Sequence, residues 1–136
     1  MTAIQLRNSM AGRLRGWGGG TLPPAVEAAM QAVPREAFLP GTPLADVHGG
    51  SPVVTHRDAH GVATSSASAP GLVAAMLEQL DGCPGHRILE IGAGKGCDAA
   101  LLACLAGPTG RSPPSNWTPA SPPRQSRRSQ QPDTGT

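Results

Sequence analysis

The sequence predicts a protein of the α/β class. The first observation is an ordered run in the second half of the chain: an apolar helical pattern, a turn, a short apolar segment, a glycine-rich loop and a second helical pattern. A short apolar segment that leads into glycines and then into a helix is typical of the first half of a βαβ unit. The second observation is a sharp change of composition near residue 110, which separates a body rich in apolar residues from a tail that lacks them.

Two helices and a loop are predicted in the first 62 residues. Apolar residues recur at helical spacing from Leu6 to Trp17, and three glycines then end the pattern. The second helix opens at the pair Pro23-Pro24, because proline suits the first helical turn, and it ends before Pro34. The periodicity fades over residues 36–62, where we expect loop and one short strand in the sequence SPVVTH.

The third predicted helix has the clearest start signal. Pro70 stands at its first position, Ser68 and Ala69 precede it as candidates for the cap, and apolar residues line one face as far as Leu80. The residues on that face are Leu72, Val73, Met76, Leu77 and Leu80. The sequence DGCPG then predicts a turn.

A strand, a glycine loop and a last helix follow the turn. Residues Arg87 to Ile91 read RILEI, a compact apolar run suited to a buried parallel strand. The helix after the glycines is predicted from near Asp98 to Gly107. We therefore divide the chain into an N-terminal region of helices and loop (1–62), the start of an α/β domain (63–110) and a tail (111–136).

The tail differs from the body in charge as well as composition. Residues 1–110 contain seven lysines and arginines against eight acidic residues, whereas residues 111–136 contain four arginines, one aspartate, six prolines and five serines. The tail has no Ile, Leu, Val or Met, so burial of apolar surface cannot offset its ordering entropy, and we expect it to be disordered. Because the net positive charge comes from the tail, the body offers no basic face to a nucleic acid.

The cysteines and histidines predict neither a disulfide framework nor a metal site. Cys83, Cys97 and Cys104 lack the paired spacing of either, and Cys104 is expected to pack as a small apolar residue. The four histidines show no ligand spacing, and only His56 and His60 are candidates to border a substrate pocket. No stretch suits a signal peptide or a membrane span, which favours a reducing, cytoplasmic setting.

The glycine loop predicts a nucleotide-like ligand, and several ligand classes compete for it. A phosphate-binding loop requires Ser or Thr after Gly-Lys, with a further glycine five residues before that pair, but Gly96 follows Lys95 and Leu89 occupies the earlier position. A dinucleotide fingerprint fits residues 94–99 only if its first glycine lies three residues beyond the strand. The alternative without a ligand is a strand-to-helix turn whose glycines permit tight packing.

The remaining pattern is an acidic residue at the end of the strand, Glu90, followed by glycines at every second position. It resembles motif I of the class I S-adenosylmethionine-dependent methyltransferases, in which the loop passes beneath the methionyl part of the cofactor and the acidic residue lies near its ammonium group. The resemblance implies S-adenosylmethionine as cofactor and a Rossmann-like class I methyltransferase fold. The residues that it assigns to the cofactor are Glu90, Ile91, Gly92, Ala93, Gly94 and Gly96.

Three segments narrow the resemblance to one family. The sequences AVPREAFLP (32–40), TSSASAPGLVAAMLEQL (64–80) and GHRILEIGAGKGCDAALLA (85–103) occur in the order seen in protein-L-isoaspartate O-methyltransferases, which methylate the α-carboxyl of an isoaspartyl residue. Ser68 matches the active-site serine of that family, and its alternative role is that of an ordinary helix N-cap. The resemblance implies a protein or peptide as methyl acceptor, and we expect the chain to be a monomer. Since a carboxylate is already ionised at neutral pH, positioning is expected to matter more than a strong base.

Three residues depart from the family pattern. Lys95 stands where the family usually has a small hydroxylated residue, Cys97 where it has an aromatic residue, and Asp98 where Asn or Gln is frequent. Lys95 is expected to weaken cofactor binding by placing a positive charge near a cationic ligand. A peptide-tailoring methyltransferase of the same lineage is therefore an alternative function.

The tail occupies the position at which this fold requires a second strand with a terminal acidic residue, about twenty residues beyond motif I. The sequence there is RSPPSNWTPASPP, which cannot form a strand. A shift of the reading frame near Arg111 is one explanation, because the codons of residues 116–118 read one base earlier must encode Leu and then Asp. We expect an incomplete copy that is unstable or inactive, since a central strand without neighbours leaves backbone groups unpaired. A non-catalytic fragment or interaction protein is the alternative.

Overall fold

The computed structural model describes residues 1–16 and 21–110. The predicted stop of the first helix at three glycines lies outside the described residues. So do the predicted disorder and the proposed reading-frame shift of residues 111–136.

The described residues form a group of packed helices and a small antiparallel sheet. The elements, in chain order, are α1 (Ala3–Leu14), α2 (Pro24–Ala32), a 3₁₀ helix (Arg35–Phe38), α3 (Leu44–Val47), β1 (Val53–Arg57), β2 (Ala63–Ala67), α4 (Pro70–Leu80) and α5 (Cys97–Ala106). The four longer helices were all predicted from the sequence, and their predictions are confirmed. No helix within the described part of the chain is long and apolar enough to cross a membrane.

Local signals set the ends of these helices. A capping box starts α1: the amide of Gln5 donates to Oγ1 of Thr2 (3.3 Å), and the amide of Thr2 donates to Oε1 of Gln5 (2.8 Å). Proline occupies the first turn of both α2 and α4. Helix α5 ends at Gly107, whose φ of +66° is a backbone conformation that suits glycine.

Strands β1 and β2 form a hairpin. The turn between them is organised by Asp58, whose Oδ1 accepts hydrogen bonds from the amides of His60 and Val62, each at 2.9 Å. Strand β1 confirms the predicted short strand. Strand β2 was missed, because its sequence ATSSA lacks the apolar alternation of a half-buried strand. The hairpin includes residues on both sides of position 62, where the sequence suggested a boundary, and the proposed division into regions stays a prediction.

The predicted parallel strand at residues 87–91 is wrong for the described part of the chain. Only Arg87 forms a β-bridge, and residues 88–91 have no regular secondary structure. Leu89 and Ile91, which a parallel sheet would bury on both faces, are 76% and 91% exposed. The physical reason is that a strand exists only when a neighbour pairs with it, and β1 and β2 pair with each other.

One hydrophobic core joins the helices from both halves of the chain. Helix α2 packs against α1, α4 and α5. The buried core residues are Met10, Leu14, Leu22, Val26, Ala29, Met30, Val33, Val73, Ala74, Leu77, Ile88, Cys97, Leu101, Leu102, Leu105 and Ala106. The predicted face of α4 is only partly buried, because Val73 and Leu77 enter the core whereas Leu72, Met76 and Leu80 are exposed. The expectation for Cys104 is also wrong: it is exposed, and Cys97 is the cysteine in the core.

A buried polar network ties α1 to the segment between α2 and α3. Arg7 donates to the carbonyl of Ala32 (3.2 Å) and pairs with Glu36 (3.1 Å). The imidazole of His48, 2% exposed, places Nε2 3.3 Å from Oε2 of Glu36 but without the geometry of a hydrogen bond. Burial lowers the pKa of His48, an effect that Glu36 opposes. His48 is therefore a neutral core residue.

Candidate functional site

The loop of residues 92–96 carries the chain into α5 through left-handed backbone conformations. Gly92 has φ +83°, and Gly96, the N-cap of α5, has φ +89°. A Cβ added to Gly92 would meet no described atom within 4 Å, and one added to Gly94 would meet only the carbonyl oxygen of Gly92, at 4.0 Å. Tight packing against the described residues therefore does not require Gly92 or Gly94, although their positive φ angles by themselves favour glycine.

A cleft of about 410 Å³, called here the acidic cleft, opens on one side of the loop. Its polar lining brings together Ser68, Glu90 and Asp98 beside the loop residues Ile91 and Gly92. The rest of its lining is apolar, from Val73, Met76, Leu77, Leu80, Ile88, Leu89 and Leu102. The cleft thus joins Ser68 to three of the residues that the sequence assigned to the cofactor, although Ser68 and Glu90 lie far apart in the chain.

The two carboxylates of the acidic cleft are partly withdrawn from water. Burial raises the pKa of Glu90, and the nearby charge of Asp98 raises it further. Burial also raises the pKa of Asp98, while Arg35 opposes that shift. Burial disfavours the ionised form of both carboxylates. A positively charged ligand beside them favours the ionised forms and would be stabilised by both carboxylates.

A second cleft, of about 390 Å³, separates the same loop from the β1–β2 hairpin. The hairpin contributes Thr55, His56 and Ser65, and the loop contributes Gly92, Ala93, Gly94 and Lys95. Lys95 therefore lines the hairpin side of the loop, whereas Glu90 and Asp98 line the other side. Of the two histidines considered as pocket residues, His56 borders this cleft, with Nδ1 2.6 Å from Oγ1 of Thr64, and His60 belongs to the hairpin turn.

Arg35 contacts the segment that carries Ser68, and the sequence assigned no role to it. It is 4% exposed; its Nε donates to the carbonyl of Val47 (3.0 Å) and its Nη2 donates to the carbonyl of Ser68 (2.7 Å). Burial raises the pKa of the Cys97 thiol to about 11, and the guanidinium of Arg35 limits that rise. Arg35 thus connects α3, the segment before α4 and the start of α5. The only sequence signal was its place in the segment AVPREAFLP.

Ser68 does not cap α4. The N-cap position belongs to Ala69, and no side chain caps the helix. The alternative role of Ser68 as an N-cap is therefore wrong, and its half-buried side chain lines the acidic cleft instead. Among residues 1–16 and 21–110, no three His, Cys, Asp or Glu side chains are grouped so that they could hold a metal ion.

Comparison with known proteins gives one consistent result. Residues 14–112 match the family model described as Protein-L-isoaspartate(D-aspartate) O-methyltransferase. The chain is 43% identical over 89 residues to the protein-L-isoaspartate O-methyltransferase of Methanoregula boonei, covering 65% of this chain and 38% of that protein. It is 47% identical over 88 residues to protein-L-isoaspartate O-methyltransferase 1 of Rhodopseudomonas palustris, covering 65% of this chain and 34% of that protein.

Comparison with solved structures points to the same family. A solved structure of a protein-L-isoaspartate O-methyltransferase superposes with a TM-score of 0.65 at 30% identity, covering 76% of this chain and 32% of that one. The predicted α/β class, of the Rossmann-like methyltransferase type, is confirmed. The chain spans about a third of the length of the relatives that it matches. The family match covers well over half of its residues, and the chain belongs to the protein-L-isoaspartate(D-aspartate) O-methyltransferase family.

Proposed function

We propose that this chain carries the S-adenosylmethionine site of a protein-L-isoaspartate O-methyltransferase-like enzyme, whose acceptor is a carboxylate of a protein or peptide. The observation that supports it best is the acidic cleft, where Ser68 meets Glu90 and Gly92 although it lies in a separate segment of the chain. The membership of the family supports the same function.

The residues of the cleft fit the proposed cofactor. Gly92 leaves space beside the backbone, and Glu90 offers a carboxylate for the ammonium group. When bound, S-adenosylmethionine supplies a methyl group on a positively charged sulfur. Ser68 is proposed to orient the acceptor carboxylate through its hydroxyl, and Arg35 fixes the position of Ser68 by binding its carbonyl. No residue needs to remove a proton, because the acceptor is already an anion.

The position of Lys95 bears on the alternative of a peptide-tailoring enzyme. The sequence predicts that Lys95 weakens cofactor binding, but Lys95 lines the second cleft, between the loop and the β1–β2 hairpin, and not the acidic cleft. That placement weakens the charge argument for the alternative, and the departures at Cys97 and Asp98 are unaffected by it.

A non-catalytic interaction protein is the second candidate, and the exposure of Leu89 and Ile91 favours it. The incomplete copy, the inactivity of the isolated chain, its monomeric state and its cytoplasmic location stay predictions.

A pair of glycine variants tests the proposed function. Gly92→Ala and Gly41→Ala introduce a methyl group at similar φ angles, +83° and +80°, and neither meets a described atom within 4 Å. Each is expected to lower the free energy of unfolding by about 1 kcal/mol, from left-handed strain. Only Gly92→Ala should weaken binding of S-adenosylhomocysteine, measured by calorimetric titration of the full chain, by about tenfold or more because it crowds the cleft. Wild-type binding weaker than about millimolar, or equal losses in both variants, would contradict the proposal.

A further inference from the structure

The acidic cleft holds a second carboxylate for which the family pattern gives no role. Asp98 lies two residues beyond Gly96, in the first turn of α5. It lines the same cleft as Glu90, and the two carboxylates are close enough for the charge of Asp98 to raise the pKa of Glu90. The residues on both sides of the loop, Glu90 before it and Asp98 after it, therefore line the same cleft.

The cations near the loop do not cancel this pair within the cleft. Arg35 is buried, and its guanidinium hydrogen-bonds to the carbonyls of Val47 and Ser68, so it offers one positive charge behind Asp98. Lys95 lines the opposite cleft. The residues that line the acidic cleft itself include two carboxylates and no basic side chain.

We propose, resting on the proposed function, that Asp98 is a charge-specificity residue: Glu90 faces the ammonium group that donor and product share, and the carboxylate of Asp98 shifts the selectivity of the cleft towards the sulfonium-bearing methyl donor, compared with a neutral side chain at the same position. The donor and the product share the same nucleoside, ammonium and carboxylate groups, and they differ by one methyl group and one positive charge. A carboxylate partly withdrawn from water attracts that additional charge more strongly than an exposed one.

The test compares the affinities of S-adenosylmethionine and S-adenosylhomocysteine for the full chain, measured by calorimetric titration in the same buffer. In Asp98→Asn the ratio of the two affinities should fall about threefold to tenfold, as expected for one partly exposed charge pair. The affinity for S-adenosylhomocysteine should change less than twofold, because its sulfur is neutral and its ammonium group still faces Glu90, which the variant retains. Asp98→Glu keeps the charge and should keep the ratio within about twofold.

Glu78→Gln is the matched control, since Glu78 is exposed on α4 and lies outside the lining of the cleft. It should leave both affinities unchanged. An unchanged ratio in Asp98→Asn, or an equal loss for both ligands, overturns the inference while the proposed function stands. If the wild-type chain binds neither nucleoside, the proposed function fails and this inference fails with it. Circular dichroism of each variant shows whether its helices have formed, and a loss of ratio rescued by Asp98→Glu cannot come from misfolding.

Discussion

Replacement of Arg35 by methionine should destabilise the protein by about 2–4 kcal/mol. Methionine retains most of the apolar stem but removes the donors to the carbonyls of Val47 (3.0 Å) and Ser68 (2.7 Å). Each carbonyl that is left without a donor in a buried or half-buried place costs about 1–3 kcal/mol. The variant also no longer has to bury a guanidinium that is 4% exposed, and this gain offsets part of the loss.

Urea unfolding of the full chain, followed by far-UV circular dichroism, measures this loss directly. Arg57→Met is the control, because Arg57 is an exposed arginine whose Nη1 donates to a turn carbonyl, that of Gly61, at 3.0 Å. It should change the free energy of unfolding by less than about 0.5 kcal/mol. Arg35→Lys keeps the charge but not the fork of donors, so an intermediate loss is expected. If Arg35→Met unfolds within about 0.5 kcal/mol of the wild type, the guanidinium does not hold these segments together.

Three further predictions concern pH, exposure and thiol reactivity. Burial lowers the pKa of His48 below its ordinary value of 6.5, so the unfolded chain binds a proton at this residue more readily than the folded chain. The contribution of neutral His48 to the free energy of unfolding is therefore complete above pH 6.5 and declines as the pH falls below that value. His48→Gln should flatten the unfolding free energy between about pH 7.5 and 5.5, whereas His60→Gln, an exposed control, should leave the slope unchanged, and equal slopes in all three proteins would refute the assignment. Ile91→Ser, at a side chain 91% exposed, should change stability by less than about 0.5 kcal/mol, and a loss above about 2 kcal/mol would show that the side chain is buried in solution. With Ellman's reagent at about pH 8 the two exposed cysteines should react rapidly and Cys97, whose pKa is about 11, only on unfolding; rapid reaction of all three thiols would contradict its burial.

The helices could be predicted because their signals are local. Proline in the first turn, glycine beyond the last turn and apolar spacing are all visible in a window of about twelve residues. The same local reasoning wrongly predicted a strand at residues 87–91, because a strand depends on a partner elsewhere in the chain. Strand β2 shows the reverse case: the exposed sequence ATSSA has no apolar pattern, and its pairing with β1 makes it a strand.

The residues of the candidate site also fall into two groups, those visible in a local motif and those brought together only by tertiary packing. Glu90 and the glycines form a continuous motif, and the resemblance to a family supplied Ser68. The contacts of Arg35 and the shared cleft of Asp98 depend on how α3, α4 and α5 pack, and no spacing in the sequence encodes that arrangement. The side of the loop on which Lys95 lies is likewise set by tertiary structure. The expectation that its charge weakens cofactor binding stays a prediction.

The structure changes the physical reason for expecting an unstable chain. The sequence argument assumed a central strand whose buried backbone groups lack partners, at about 1–3 kcal/mol for each group. Leu89 and Ile91 are instead exposed, so water can satisfy the backbone around them and that penalty does not arise. What is lost is the hydrophobic stabilisation of these side chains, about 1.5–3 kcal/mol for each that stays in water. The helical core that contains Leu77 and Leu101 does not depend on this segment being a strand. Any instability should therefore appear first as association through the exposed apolar side chains of residues 89–91, and only later as loss of the helices.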